Sequence, residues 1–192
     1  MIASVLFLVL GNFTVTFFVV GLIASAIALA RAPKPLTGLV VADRLLRYFV
    51  LFSVGISFLY NFVFHVFAGQ FAASLIGWPD SPFQAEVGYA SLGFGLVGLV
   101  AYRSTLAVRG VAVLGPACFL LGAAVGHVID IVTTGNNAPG NSGAILYTDV
   151  ALPIIGAALW FAQRHFARRE TAPTATTVDD LVPDRSSKGV SA

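Results

Sequence analysis

The residues that could do chemistry are two histidines and three carboxylates that lie within or beside long apolar stretches. His65 lies near the end of one stretch, and His127 and Asp130 lie about one helical turn apart in another. Glu86 and Asp149 stand near the beginnings of two more. Two imidazoles with carboxylates suit a divalent transition metal such as zinc, iron, copper or manganese, or proton transfer. All five residues are therefore metal candidates, and His127, Glu86 and Asp149 are the catalytic candidates.

Two other interpretations of the same residues stay open. No tight ligand motif of the HExxH kind accompanies the histidines, so the cluster could instead be a hydrogen-bonded polar knot that only holds a helix bundle together. A spacing of four puts one polar set on a single helix face, formed by Ser53, Ser57, Asn61 and His65. That face could line the path of a small oligomeric cation or proton transporter, the least favoured of the three.

Composition indicates the class of protein in which these residues are positioned. The chain has 192 residues, of which 57% are hydrophobic and only 10% are charged, and its mean hydropathy is +0.87. A soluble domain carries about 25% charged residues. The sequence therefore predicts an all-α integral membrane protein in contact with the lipid bilayer, and it excludes a large soluble catalytic domain and a nucleic-acid partner. The single cysteine, Cys118, excludes an intrachain disulfide.

Five apolar segments are long enough to cross a bilayer. The predicted spans cover residues 2–30, 47–69, 81–102, 110–131 and 144–163, and residues 71–77 continue the second along the membrane interface. Ser81, Pro82 and Gln84 predict a capping-box start for the third span. Asp149 either lies inside the fifth helix or heads a loop that dips into the membrane. Residues 1–163 thus form the transmembrane domain, and residues 164–192 form a basic, then polar tail that we expect to be disordered.

The positive charges predict the orientation. All 11 lysines and arginines fall around the first connector, beside the third connector or in the tail. Positive residues favour the cytoplasmic side, so we expect the N-terminus outside, the C-terminus in the cytoplasm and a multi-pass protein of the inner (plasma) membrane. This orientation brings the five ionisable residues to a similar depth near the outer face.

Small residues and a polar connector complete the pattern. The third helix carries a small-residue stripe and the fourth a shorter one, formed by Gly88, Ser91, Gly95 and Gly98 and by Gly122 and Gly126. These faces predict close helix packing, and a homo-oligomer could form through them. Residues 135–143 are uncharged and turn-forming, and they either make an ordinary outer loop or line the site.

Several of these residues belong to motifs that recur in order along the chain. They are GWP-x-SPFQ-x-EVG at residues 77–88, GH at 126–127, APGN at 138–141 and LYTD at 146–149. Together they resemble a domain-of-unknown-function family of small bacterial integral membrane proteins. The resemblance covers residues 45–160 and implies a helical fold and a membrane location, but no activity.

Overall fold

The computed structural model describes residues 9–171, and this part of the chain is helical without strands. The elements are α1 (Phe13–Ala30), α2 (Gly38–Phe49), a π-helical segment (Val50–Ile56), α3 (Ser57–Phe67), α4 (Gly69–Ile76), α5 (Phe83–Ala101), α6 (Leu106–Thr134), α7 (Pro139–Ser142) and α8 (Ala144–Thr171). Within the described residues, five helices are long and apolar enough to cross a membrane. The prediction of an all-α fold with five candidate spans is therefore confirmed.

Three helices extend beyond their predicted bounds. The second span begins at Gly38 rather than residue 47, capped by Thr37, whose side chain accepts a hydrogen bond from the Val40 amide at 3.2 Å. Thr105 caps α6 in the same way at 3.5 Å. The last helix, α8, continues to Thr171 and therefore carries basic residues that belong to the predicted tail. Residues 172–192, for which we predict disorder, and residues 2–8 of the first predicted span lie outside the described residues.

The segment predicted to follow the second span at the interface is a separate short helix. Ala68 leaves helical geometry with φ −135° and ψ 36°, and this break separates α3 from α4. Gly77 ends α4 in the left-handed region at φ +79°. A Cβ there would also lie 2.7 Å from Asn136 Oδ1, so only glycine fits this turn.

The small-residue stripe on α5 packs inside the chain. A Cβ on Gly98 would collide with the Gly55 backbone, and a Cβ on Gly95 would meet Leu59 at 2.8 Å. Glycine at these places lets α5 lie directly against the π-helical segment and α3. Close packing of this face is thus intramolecular, and an oligomer through the faces of the third and fourth spans stays a prediction.

A hydrophobic core fills the middle of the bundle around Leu46, Phe49, Val50, Phe58 and Leu152. Large apolar side chains also cover the outside of the long helices, which is the surface expected of helices in contact with lipid. We call the end of the bundle with connectors 77–82 and 135–138 the Trp78 end, and the end with connectors 31–37 and 102–105 the Arg109 end.

The Arg109 end contains a buried ionic network that the sequence analysis did not predict. Arg109 is 3% exposed and donates to Asp43 Oδ1 at 2.7 Å and to Gln163 Oε1 at 3.2 Å. Arg44 and Arg47 lie at 3.6 and 3.4 Å from the other oxygen of Asp43. Asp43 thus offsets part of the positive charge that three arginines bring to this end of the bundle.

Candidate functional site

A cavity of about 540 Å³ lies in the half of the bundle next to the Trp78 end. Its walls come from α1, the π-helical segment, α3, α5, α6 and α8, together with the connectors at that end. Most of the lining is apolar, with side chains such as Phe58, Phe119 and Leu152. Polar side chains also line it: Thr14, Ser53, Ser57, Asn61, His65, Ser81, Gln84, His127 and Asp149.

One polar wall of the cavity is the predicted helix face with its spacing of four. Its four residues, Ser53, Ser57, Asn61 and His65, all line the cavity. The Asn61 amide donates to Ser91 Oγ at 2.9 Å, and His65 Nδ1 donates to Gln84 Oε1 at 2.6 Å because that oxygen can only accept. Ser53 Oγ is buried without a hydrogen-bond partner in the described part of the chain and lies in the π-helical segment, a rare element that is frequent at functional sites.

A second polar part of the cavity wall holds His127 and Asp149, which are 5% and 3% exposed. His127 Nε2 lies 3.8 Å from Asp149 Oδ2. Asp149 lies inside α8, so the structure decides between the two predicted positions in favour of the helix. Pro153 follows one turn later in α8 and has no amide proton to donate to the Asp149 carbonyl.

The hydrogen bonds around His127 determine which ring nitrogen carries a proton. Asn141 Nδ2 donates to the Asn136 carbonyl at 2.8 Å, so Asn141 Oδ1 is the atom that faces the ring. His127 Nδ1 lies 2.7 Å from this oxygen and must donate to it. The second nitrogen, Nε2, is therefore the one that faces Asp149.

In this arrangement one proton can reside on either His127 Nε2 or Asp149 Oδ2. A bare Nε2 lone pair facing a carboxylate is repulsive, so the stable states have the proton on the imidazole or on the carboxyl group. The separation of 3.8 Å exceeds hydrogen-bond length, which leaves room for a polar group to bind between the two side chains. Chemically, the pair can donate or accept one proton at the cavity wall.

Trp78 covers this pair from the connector side. Its ring stacks on the His127 ring with centroids 5.4 Å apart, and its Nε1 donates to Asp130 Oδ2 at 2.7 Å. The same carboxylate accepts from Asn136 Nδ2 at 2.7 Å and from Thr134 Oγ1 at 3.0 Å. Asp130 thereby ties α6 to both connectors of the Trp78 end.

The five predicted site residues have different positions. His65, His127 and Asp149 line the cavity, whereas Asp130 lies beside it behind Trp78. Glu86 is exposed, does not line the cavity and makes no hydrogen bond or ion pair within residues 9–171. Among the same residues, no group of three histidine, cysteine, aspartate or glutamate side chains is placed to hold a metal ion. The metal and catalytic roles of the five residues stay predictions.

Sequence reasoning missed three neighbours of the histidines. Asn141 is 0% exposed and lies in the connector that the sequence analysis left open as an ordinary loop, and the Trp78 ring stacks on His127. The capping-box prediction is wrong, because α5 has no side-chain capping bond and Gln84 binds His65 instead. The signal that could have found all three is their presence in the motifs at residues 77–88 and 138–141.

Comparison with known proteins gives a family without an activity. Residues 11–169 match the model of a family described as a family of unknown function, DUF6790. No curated protein and no solved structure matches the chain.

Proposed function

We propose that this chain, which belongs to the DUF6790 family of unknown function, binds a small molecule in the cavity at its Trp78 end. His127 and Asp149 then bind a polar group of that molecule and exchange a proton with it. The protein works as a multi-pass membrane protein of the plasma membrane. Its N-terminus lies outside, so that the cavity belongs to the outer half of the bilayer.

The position of the His127–Asp149 pair on a cavity wall carries this proposal. Burying an ionisable pair among apolar helices is costly, because both groups lose their hydration. A purely structural pair reduces this cost by packing closely and by making every available hydrogen bond. Here the two groups stand 3.8 Å apart and both line a space of about 540 Å³. This space lies in the range of about 300–1,000 Å³ that is typical of small-molecule sites.

The surroundings of the pair support a role in proton exchange. Asn141 holds the Nδ1 proton, and Trp78 covers the ring, so His127 can rotate little. A general acid or base needs this kind of fixed orientation, with one nitrogen held and the other presented to its partner. His65, held by Gln84 through Nδ1, offers a second imidazole to the same cavity.

A structural role is the second candidate, and a specific observation favours it. Trp78, Asp130 and Asn136 form a hydrogen-bonded cluster that joins the two connectors of the Trp78 end. Such a cluster stabilises the bundle whether or not the cavity binds anything. Ion transport has less support, because the hydrophobic core with Phe58 and Leu152 lies between the cavity and the Arg109 end.

The test uses native mass spectrometry of purified protein in lipid nanodiscs. It compares the mass of small molecules retained by the wild type with the mass retained by two variants. Ala123 lines the cavity, so Ala123→Phe should fill it and remove the retained mass. Ala90→Phe is the matched control, because Ala90 is exposed on α5 and does not line the cavity. Equal retention by the wild type and Ala123→Phe would contradict the proposal. Elemental analysis of the wild-type sample tests the metal prediction.

A further inference from the structure

The cavity reaches the outer surface of the bundle between α5 and α6. Phe83, at the start of α5, is 69% exposed and also lines the cavity. Cys118 and Gly122 on α6 are likewise exposed and line the cavity. Cys118 lies about 18 Å along α6 from Leu106, near the middle of this long helix. The opening therefore faces the hydrocarbon of a bilayer rather than water.

The opening results from a change in side-chain size along α6. Closer to the Arg109 end, Phe94 and Phe119 pack with ring centroids 5.6 Å apart and close the space between the two helices. One turn further, a Cβ on Gly122 would meet nothing within 4 Å. The nearest atom to a Cβ on Gly126 would be in Trp78, at 3.9 Å. Glycine in this part of α6 leaves a gap that a narrow apolar chain can occupy.

The charges of the lining restrict the headgroup that the cavity can accept. No lysine or arginine of the described chain lines it, so the cavity offers an anion no permanent positive charge, only its two histidines. With one proton the His127–Asp149 pair has a net charge of zero, so it does not replace the missing lysine or arginine. Hydroxyl and carbonyl groups suit the place between His127 and Asp149, because they hydrogen-bond to either protonation state of the pair.

We infer that the ligand is a neutral single-chain lipid that enters sideways from the bilayer between α5 and α6. Its apolar chain lies in the opening at Gly122, and its hydroxyl or carbonyl head reaches the His127–Asp149 pair. This inference rests on the proposed function and names the class of molecule that the cavity binds.

Photocrosslinking in nanodiscs tests the inference with a diazirine-labelled hexadecanol as the probe. Mass spectrometry should find the label on α6 around Cys118 and on the first turns of α5, and excess unlabelled hexadecanol should compete it away. Gly122→Trp should reduce the label to background by filling the opening. Gly93→Trp is the matched control, because Gly93 is exposed on α5, lies outside the lining, and its added Cβ also meets nothing within 4 Å.

The headgroup is tested with His127→Gln and with a second probe, a diazirine-labelled hexadecanoic acid of the same chain length. Loss of one strong hydrogen bond should weaken competition by hexadecanol about tenfold in His127→Gln. Stronger labelling by the acid, or full labelling of Gly122→Trp, would overturn the inference while leaving a binding cavity in place. Absence of any competable label, together with no retained mass in the native spectra, would overturn the proposed function itself.

Discussion

His127 Nδ1 lies 2.7 Å from Asn141 Oδ1, and this hydrogen bond joins the cavity wall to the connector between α6 and α8. The Asn141 side chain cannot turn its amide group over, because its Nδ2 donates to the Asn136 carbonyl. The connector thus determines which nitrogen of His127 faces Asp149. Besides joining two helices, the connector therefore selects the tautomer of a histidine on the cavity wall.

We predict that His127 keeps a proton on Nδ1 in both of its protonation states. The reason is that Asn141 Oδ1 can only accept a hydrogen bond. Solid-state ¹⁵N NMR of protein with labelled histidine measures this directly. The chain has three histidines, and His65→Gln with His165→Gln leaves the signal of His127 alone. An Nδ1 without a proton in the neutral ring would contradict the hydrogen-bond assignment.

Asn141→Leu should lower the free energy of unfolding by about 1–3 kcal/mol, because it leaves the buried Nδ1–H of His127 without an acceptor. Reversible unfolding in mixed detergent micelles measures the change. Asn137→Leu in the same connector is the control, since Asn137 is exposed. It should shift the unfolding free energy by less than about 0.5 kcal/mol. Equal effects of the two substitutions would show that the Asn141 contact contributes little.

Trp78→Phe should destabilise the protein less than Asn141→Leu, by about 1 kcal/mol. Phenylalanine keeps a ring over His127 and removes only the Nε1 donor to Asp130. Asp130 retains its hydrogen bonds from Asn136 and Thr134, so no carboxylate is left unpaired. The same unfolding measurement checks the order of the two variants. A larger loss for Trp78→Phe than for Asn141→Leu would assign the main contact to the indole nitrogen.

At the Arg109 end, Asp43→Asn should be more harmful than Arg109→Met. Asp43 is the only carboxylate that pairs with Arg109 within residues 9–171, so Asp43→Asn leaves a buried charge unpaired, at a cost of about 3–5 kcal/mol. Arg109→Met leaves Asp43 with Arg44 and Arg47 as partners. Thermal unfolding in detergent ranks the two variants.

The exposed cation Arg103 provides the control for this pair. Arg103→Gln should change the unfolding free energy by less than about 0.5 kcal/mol, since its charge is in contact with solvent. If Arg109→Met proved as harmful as Asp43→Asn, the lost hydrogen bonds of Arg109 to Gln163 and to the Ala101 carbonyl would matter as much as an unpaired charge.

Single-cysteine labelling tests the predicted orientation in the background Cys118→Ser. Asn137→Cys places an exposed thiol at the Trp78 end, and Lys34→Cys places one at the Arg109 end. A membrane-impermeant maleimide should label intact cells that carry Asn137→Cys. Lys34→Cys should react only after the membrane is permeabilised. The reverse pattern would place the cavity in the cytoplasmic half of the bilayer.

Much of the architecture could be predicted from the sequence, because a bilayer accepts few solutions. Every backbone group in hydrocarbon must be hydrogen-bonded within the chain, so long apolar stretches become helices. The positions of the apolar stretches and of the lysines and arginines therefore led to five candidate spans, and the structure confirms five helices long and apolar enough to cross a membrane. The spacing of four also sufficed to predict that one helix face carries Ser53, Ser57, Asn61 and His65, because residues four apart share a face of a helix.

Relations between different helices required the tertiary structure. A sequence pattern says which residues share a face, but not how far each helix is rotated about its axis or how closely two helices approach. Those quantities depend on local packing, such as the contact of Gly98 with Gly55. The predicted set of five ionisable residues therefore separated: Asp149 came to face His127, while Asp130 bound Trp78 and Glu86 stayed exposed.

The sequence by itself thus determined that the chain is a bundle of apolar helices with a few costly polar groups near one end. Only the tertiary structure decided that His127 and Asp149 share a cavity wall and that Asn141 orients the imidazole between them. The physical reason is one of scale. Hydrophobic burial depends on composition summed over 20 residues, whereas a proton position depends on contacts of about 3 Å between segments distant in the chain.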